Sequence, residues 1–364
     1  MVDVVKTIRA SGGDYSLLST WEADIPADLV TPDERWIAET YADWLNGLND
    51  RYAESSARVT SDTAYIAIQA APGHEWLGQD TSDGTSPTWF KLYDDGDGSV
   101  AIIYSEHTII KGIQISQSNV SSASGGAAIA DVSDPATPTH VIGCYCLSEK
   151  NSTYRSGLSS DHVIAINCKI TGRRGDDSCD FTTANSGQPQ RSSLYNCIIG
   201  DGIDGNHYDT AIRGGVLNLV NCAITRRVTT FKGDVYPEGT ASNNAVSNSS
   251  IPPELGTIAN LSSADFVKYE VSTNDFDLHL SDTSVLIGEG LNLIESGLLT
   301  SPQYDIDGDQ WPDTGAWDIG VDYAAGSTPP PTGTIKVGTE TPGAIMAGSS
   351  TVDKVMIGDS QVWP

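Results

Sequence analysis

The sequence predicts an all-β protein made of a parallel β-solenoid followed by a small C-terminal β module. The main observation is a short motif of an apolar residue, Asn, Cys, any residue and Ile, which recurs at residues 166–170, 195–199 and 220–224. Looser copies occupy residues 111–115 and 142–146. Each copy is a short run of alternating character bounded by polar turn residues, which is typical of a strand.

The spacing of the motif indicates stacked repeats. Its third position moves by 31, 24, 29 and 25 residues from one copy to the next. Periods of about 20–50 residues are typical of solenoids, in which each repeat stacks on its neighbours. In a strand with one buried face, Cys and Ile should point inward, and Asn and the variable residue outward. An antiparallel β-sandwich that carries the motif by coincidence is the alternative.

Flanking segments extend the predicted solenoid towards both ends. Residues 64–70, 100–104 and 107–110 are short apolar or alternating runs. At about 25 residues per turn, residues 5–324 would make about 12 coils. We expect an apolar N-terminal cap on the first coil, because the open end of a solenoid exposes backbone edges.

The composition changes at a Pro-rich stretch near the C-terminus. We therefore divide the chain into a parallel β-helix with its N-terminal cap over residues 1–325, a linker over 326–334 and a small β-strand module over 335–364. Glycines recur every ten residues in that module, which predicts short strands between turns.

The charge balance excludes one class of partner. The chain has 48 acidic and 20 basic residues and a net charge of −28, whereas binding to nucleic acid needs an excess of Lys and Arg. No apolar stretch is long enough to insert into a membrane, and the N-terminus lacks the apolar core of a secretory signal. The six cysteines include no C-x-x-C pair, so we expect free buried thiols.

Three segments carry a family resemblance. Residues 7–22 (TIRASGGDYSLLSTWE) resemble the start of right-handed parallel β-helix proteins of the pectate-lyase-like superfamily, and residues 275–290 and 305–320 resemble their closing coil. Residues 355–364 (VMIGDSQVWP) are similar to tails of tailed-phage structural proteins. The resemblance implies a right-handed β-helix, but the superfamily includes lyases, hydrolases and inert spikes.

Two carboxylate clusters follow predicted core strands. Enzymes of this fold cleave acidic polysaccharides with paired carboxylates, or with a base and calcium. The candidate catalytic residues are Asp176, Asp177, Asp201, Asp204 and His207. The alternative is that these Asp and Gly residues only form the turns of the solenoid.

Two arginine pairs occupy matching places after two copies of the motif. Arg173 and Arg174 follow one copy, and Arg226 and Arg227 follow another. Guanidinium groups in pairs are suited to contact an anionic glycan or an acidic neighbouring subunit. The alternative is a row of alternating Arg and Asp side chains along one solvent-exposed face of the solenoid.

Asp305, Asp307 and Asp309 have the density of oxygen ligands that calcium prefers. We therefore consider Ca²⁺ as the one candidate cofactor, and otherwise expect none. The alternative is a closing turn of the β-helix without an ion.

The favoured function is that of a structural, non-enzymatic virion protein on the exterior of a tailed bacteriophage, as capsid decoration, fibre or tail appendage. Its partners would be other virion proteins, and its location the virion surface. The family resemblance makes a homotrimer one assembly to test. The alternatives are a polysaccharide-binding or polysaccharide-degrading depolymerase or receptor-binding spike, and a non-viral solenoid at a cell surface.

Overall fold

The computed structural model describes most of residues 1–324 and four short strands near the C-terminus. The described residues are 1–54, 58–80, 88–96, 99–105, 107–117, 126–131, 138–148, 155–160, 162–172, 179–182, 192–200, 210–213, 216–225, 235–246, 257–270, 275–324, 346–347, 350–351, 355–357 and 360–363.

Three parallel sheets form the body of this described part. Sheet 1 has nine strands: Val2–Ile8, Glu34–Thr40, Ile66–Ala70, Thr108–Lys111, Thr139–Ile142, Val163–Ile166, Ser193–Tyr195, Val216–Val220 and Val235–Ser242. Sheet 2 has nine: Leu48–Asn49, Lys91–Asp94, Gln114–Gln117, Tyr145–Ser148, Lys169–Gly172, Ile198–Ile199, Ala223–Ile224, Asn244–Val246 and Thr257–Asn260. Sheet 3 has six: Tyr52–Ala53, Ala101–Ile103, Gly126–Asp131, Arg155–Ser160, Cys179–Thr182 and Thr210–Arg213.

The strand register establishes a parallel β-helix. In the central coils the chain visits sheet 1, sheet 2 and sheet 3 in turn, and each strand pairs in parallel with its counterpart one coil away. Cys146, for example, aligns with Ile115 on one side and Ile170 on the other. The predicted all-β solenoid is therefore confirmed, and the β-sandwich alternative is wrong.

The recurring motif turns a corner between two sheets. Its Asn or Gly has a left-handed backbone, with φ of +53° at Asn167, +49° at Asn196 and +56° at Asn221. Gly112 and Gly143 hold the same place in earlier coils, with φ of +70° and +59°. Glycine and asparagine adopt this conformation at the lowest cost, so the repeated residue marks the bend rather than a position within one strand.

The solenoid interior is apolar and includes the motif cysteines. Cys144, Cys168, Cys197 and Cys222 are each fully buried and free. Cys168 Sγ donates weakly to the carbonyl of Val141, 3.2 Å away. Free buried thiols are thereby confirmed for these cysteines and for Cys146. The inward direction of Cys in the motif is also confirmed.

The Asn and the variable residue of the motif were expected to point outward, but in the described coils they are shielded from water. Asn196 and Asn221 are fully buried, and so are the variable residues Ile198 and Ala223. The reason is that residues 261–324, here called the covering segment, pack on the outside of sheets 1 and 2. The expectation that residues 275–290 and 305–320 form the closing coil of the solenoid is therefore wrong. The estimate of about 12 coils is wrong as well, because sheet 1 contains nine described strands.

The covering segment joins the solenoid through a small antiparallel sheet. Its strands Phe266–Glu270 and Asp275–Leu280 pair with each other, and the second pairs with Gln79–Asp80 of the solenoid. A 3₁₀ turn, Ser263–Asp265, precedes them. Trp311 and Trp317 stack with ring centroids 4.9 Å apart and are fully buried against sheet 1.

A short helix lies at the N-terminal end. The helix Leu18–Asp24 buries Trp21, whose ring centroid lies 6.2 Å from that of Tyr52. Glu22 and Arg58 form a buried ion pair with Nη2 and Oε1 2.5 Å apart. No helix in the described part of the chain is long and apolar enough to cross a membrane.

The described part of the C-terminal module consists of two antiparallel pairs. Met346–Ala347 pairs with Ser350–Thr351, and Val355–Ile357 pairs with Ser360–Trp363. The predicted linker lies outside the described residues, and the division of the chain into domains stays a prediction.

Candidate functional site

A cavity of about 570 Å³ lies at the corner between sheets 1 and 2, under the tip of a hairpin from the covering segment. Its lining residues are Glu75, Trp76, Leu77, Lys111, Gly112, Ile142, Gly143, Asn167, Pro302, Gln303, Tyr304, Asp305, Ile306, Asp307 and Gly308. Solenoid and covering segment thus each supply one wall.

Glycine corners open the solenoid wall. Gly112 and Gly143 occupy the corner position that asparagine occupies in the following coils. A Cβ at Gly143 would meet no atom within 4 Å, so the space above this corner is free. Asn167, at the next corner, marks the edge of the cavity, because its Nδ2 donates to the carbonyl of Tyr304.

Asp305 shapes the other wall. Its Oδ1 accepts hydrogen bonds from the backbone N–H of Asp307 at 2.9 Å and of Asp309 at 2.8 Å, and its Oδ2 accepts one from Tyr323 at 3.2 Å. Gly308 completes the tight turn with φ of +84°. Burial raises the pKa of Asp305 to about 7, although the hydrogen bonds from Asp309 and Tyr323 oppose that shift.

The cavity rim mixes charged, amide and aromatic groups. Lys111 is exposed and supplies an ammonium group. Glu75 and Asp307 supply carboxylates, and Gln303 an amide. The ring of Tyr304 is well exposed, with 47% of the residue surface accessible. Such a rim can make many hydrogen bonds and one stacking contact with a polar ligand.

A histidine and several carboxylates lie behind the hairpin tip. His279 Nδ1 contacts Oδ1 of Asp277, and its Nε2 lies 2.8 Å from Oδ2 of Asp307. Single ligand atoms of His279, Asp307 and Asp322 all lie within 4.8 Å of one another. The hydrogen bonds with Asp307 and Asp277 raise the pKa of His279 to about 10, although burial opposes the shift.

Asp322 is the buried member of this group. Only 5% of its surface is accessible, and its Oδ2 accepts a hydrogen bond from the backbone N–H of Leu280 at 2.7 Å. Burial raises the pKa of Asp322 to about 6, and Asp307 and Asp318 nearby add to that shift, while His279 opposes it.

A smaller cavity of about 230 Å³ lies on the outside of sheet 1, between Asp62, Tyr65, His107 and His140. His107 has a left-handed backbone with φ of +51°, and its Nε2 lies 3.0 Å from Oδ1 of Asp62. Burial lowers the pKa of His140, and the neighbouring His107 adds to that shift. Its lining residues all come from the solenoid, whereas the covering segment contributes to the larger cavity.

Of the residues selected from the sequence, Asp305, Asp307 and Asp309 lie on the hairpin tip. The structure brings Asp307 towards His279, whereas the carboxylate of Asp305 binds backbone N–H groups. The catalytic candidates and the arginine pairs lie outside the described residues: Asp176, Asp177, Asp201, Asp204, His207, Arg173, Arg174, Arg226 and Arg227.

The roles of His279 and of the two glycine corners were not predicted from the sequence. One signal was available for the histidine, because Asp277 and His279 are two residues apart in an alternating run and so lie on one face of a strand. No local pattern indicated that Asp307 and Asp322 would meet it.

Comparisons with known proteins add little. No protein-family model matches the chain, and no curated protein does. Among solved structures, the chain is similar to pectate lyase Pel9A with a TM-score of 0.40 and 14% identity, over 88% of this chain and 96% of that chain. The register of the strands, rather than this similarity, establishes the parallel β-helix.

Proposed function

We propose that the protein binds a neutral oligosaccharide in the cavity between the glycine corners and the hairpin tip. The observation that carries the proposal is the cavity itself, which two separate parts of the chain enclose. Its volume of about 570 Å³ falls within the range of about 300–1,000 Å³ that is usual for small-molecule sites.

The chemistry of the rim favours a sugar. Tyr304 offers an exposed ring for stacking on a pyranose face, while Lys111, Glu75 and Gln303 offer donors and acceptors to hydroxyl groups. Gly143 lets a ligand approach the backbone closely, because it carries no side chain and the space above it is free.

The charge of the rim favours a neutral ligand. Three carboxylates, of Glu75, Asp305 and Asp307, accompany one ammonium group, of Lys111, in the lining of the cavity. An acidic polysaccharide would also have to approach a chain with a net charge of −28. The role we infer is therefore recognition of a glycan surface.

A glycan screen on the full-length protein tests this proposal. We expect wild-type protein to bind one or a few neutral oligosaccharides, and Tyr304→Ala to weaken that binding at least about tenfold through loss of stacking. A reducing-end assay on the bound glycan distinguishes recognition from cleavage. If no neutral glycan binds, or if Tyr304→Ala binds as well as wild type, the proposal is wrong.

A place on the exterior of a tailed-phage particle is a second proposal, and it is compatible with the first. It is supported by the resemblance of residues 355–364 to phage tails and by the antiparallel pairs in the C-terminal module. Deleting residues 327–364 should abolish incorporation into particles, and normal incorporation would reject the anchoring role. The copy number per particle distinguishes capsid decoration from a tail appendage.

A further inference from the structure

The group formed by His279, Asp307 and Asp322 has the composition of a metal site. The three residues come from different parts of the covering segment: the strand Asp275–Leu280, the hairpin tip and the stretch before Tyr323. Their ligand atoms lie within 4.8 Å of one another. One ion could therefore contact all three, and it would connect parts of the chain that are distant in sequence.

The orientation of the imidazole ring supports this assignment. Asp277 accepts at Nδ1, which directs Nε2 towards Asp307. A histidine that binds a metal through one nitrogen commonly donates its other N–H to a carboxylate, which fixes the tautomer and the ring. Asp277 is in the position of that outer carboxylate.

The surroundings are rich in negative charge. Asp277, Asp305, Asp307 and Asp322 lie near His279, while Lys268 stands opposite Asp277 in the antiparallel sheet and Lys111 lines the same cavity as Asp305 and Asp307. Asp322 is almost completely buried. Buried carboxylates at close range repel one another unless a cation compensates them. A divalent ion supplies two positive charges at the point where these carboxylates converge.

We propose that His279 Nε2 and the carboxylates of Asp307 and Asp322 bind a first-row divalent transition ion such as Zn²⁺. Imidazole with two carboxylates suits such an ion, whereas Ca²⁺ prefers oxygen ligands alone. Three protein ligands with one open position make the usual arrangement of an accessible zinc site. The side chain of Asp307 is 38% exposed and also lines the cavity, so water can reach the fourth position.

Binding displaces the Nε2 proton of His279, which is released to solvent, and requires a small local movement. Metal–ligand distances of about 2.0–2.2 Å place two ligand atoms of a tetrahedral ion about 3.4 Å apart. The Nε2 and Oδ2 atoms of His279 and Asp307 are 2.8 Å apart, so the pair must open by about 0.6 Å. Asp307 is on an exposed turn and can make that shift. Asp307 belongs to both sites, but metal binding does not require that a saccharide binds.

Titration calorimetry of chelator-treated full-length protein with Zn²⁺ and with Ca²⁺ tests the proposal. We expect one Zn²⁺ per chain. His279→Gln and Asp307→Asn should each weaken binding more than about tenfold, and Asp277→Asn by about 10–100-fold, the usual effect of an outer-shell carboxylate. Binding of Co²⁺ should give a visible absorption band that changes in His279→Gln, which reports nitrogen ligation directly.

Asp309→Asn is the matched control, because Asp309 lies on the same exposed turn but outside the group. It should bind Zn²⁺ as wild type does. Circular dichroism and thermal melting of every variant separate loss of the site from loss of the fold; Asp307→Asn changes a part-exposed turn side chain and its contact with His279. No saturable Zn²⁺ or Co²⁺ binding would overturn the proposal. So would binding that survives His279→Gln, or a Ca²⁺ site that Asp309→Asn abolishes and His279→Gln leaves intact.

Discussion

Asparagine and glycine occupy equivalent corners of the solenoid, but they have different surroundings. At Asn167, Asn221 and Asn243 the corner side chain reaches outward and hydrogen-bonds the covering segment. At Gly112 and Gly143 no side chain is present, and both glycines line the cavity. The space is open at Gly143, whereas the side chain of Glu75 lies beside Gly112. Both residue types satisfy the left-handed backbone of the turn. The choice between them therefore decides whether a coil holds the covering segment or leaves room for a ligand.

Asn221 makes the most complete of these attachments. Its Nδ2 donates to the carbonyl of Leu291 at 2.8 Å and to Oδ1 of Asn196 at 2.9 Å, and its Oδ1 accepts from the N–H of Leu291 at 2.7 Å. One amide thus satisfies both backbone groups of Leu291. Asn243 makes a single exposed bond, from Nδ2 to the carbonyl of Glu289 at 2.7 Å.

The largest expected effect is that of Asn221→Gly. The variant keeps the left-handed turn but leaves both backbone groups of Leu291 and the buried Oδ1 of Asn196 without their partner. We expect the free energy of unfolding to fall by about 3 kcal/mol, because unsatisfied buried groups cost about 1–3 kcal/mol each and water compensates part of that. Urea unfolding measures the change.

Asn243→Gly is the control for Asn221→Gly, since it removes one exposed bond at an equivalent corner. It should cost less than about 1 kcal/mol. Hydrogen exchange should show faster opening of the covering segment around Leu291 in Asn221→Gly only. Equal losses of stability in the two variants would contradict the proposed difference between the two attachments.

A smaller effect is expected from changing a glycine corner to a branched residue. Gly143→Val forces a β-branched residue into a backbone with φ of +59° and should lower the free energy of unfolding by about 1–2 kcal/mol. Gly143→Asn should be nearly neutral, because Asn adopts this conformation at other corners and a Cβ here meets no atom within 4 Å. Thermal unfolding of both variants measures the difference. Equal destabilisation by Val and Asn would show that side-chain volume, not backbone conformation, determines which residues this corner accepts.

The free energy of unfolding should depend weakly on pH through His140, which lies on sheet 1 beside the smaller cavity. Burial and the neighbouring His107 lower the pKa of His140 below its ordinary value of 6.5, although Asp62 opposes the shift. The unfolded state then binds more protons between those two pKa values, so stability falls as the pH decreases from about 6.5 through the folded pKa. Urea unfolding at several pH values should show a shallower decline in His140→Asn. An unchanged slope would mean that His140 does not contribute.

The covered interior should show no thiol reactivity. Burial raises the pKa of Cys144, Cys146, Cys168 and Cys197, which suppresses the reactive thiolate. Cys222 is also fully buried. A thiol reagent should therefore label no more than one of the six cysteines in native protein and all six after unfolding. Rapid labelling of several thiols in the native protein would contradict the burial of these cysteines in the solenoid interior.

The sequence predicted the solenoid because its signal is local and repeated. Alternation over five residues identified the buried cysteines, and the spacing identified stacking. The corner was missed because an alternating pattern does not distinguish a straight strand from two strands joined by a left-handed residue. The recurring Asn was the available sign, since Asn and Gly exchange at one position of the motif for a backbone reason.

The covering segment could not be placed from local patterns. Its contacts join residues far apart in the chain, such as Asn221 with Leu291 and Asn167 with Tyr304. One hint was present: Ile198 and Ala223 are apolar at positions that face away from the core, which indicates a strand covered on both faces. For the site, Asp307 was selected for its oxygen density, but its partners His279 and Asp322 meet it only through tertiary packing.

The most direct test of the account is the binding constant of the best saccharide ligand for Gly143→Asn compared with wild type. This change converts an open corner into the type that holds the covering segment, and it should leave stability nearly unchanged. We expect titration calorimetry to show binding by wild type and at least about a tenfold loss of affinity in Gly143→Asn, because the new amide occupies the cavity. Equal affinity of the two proteins would contradict the assignment of this cavity as the binding site.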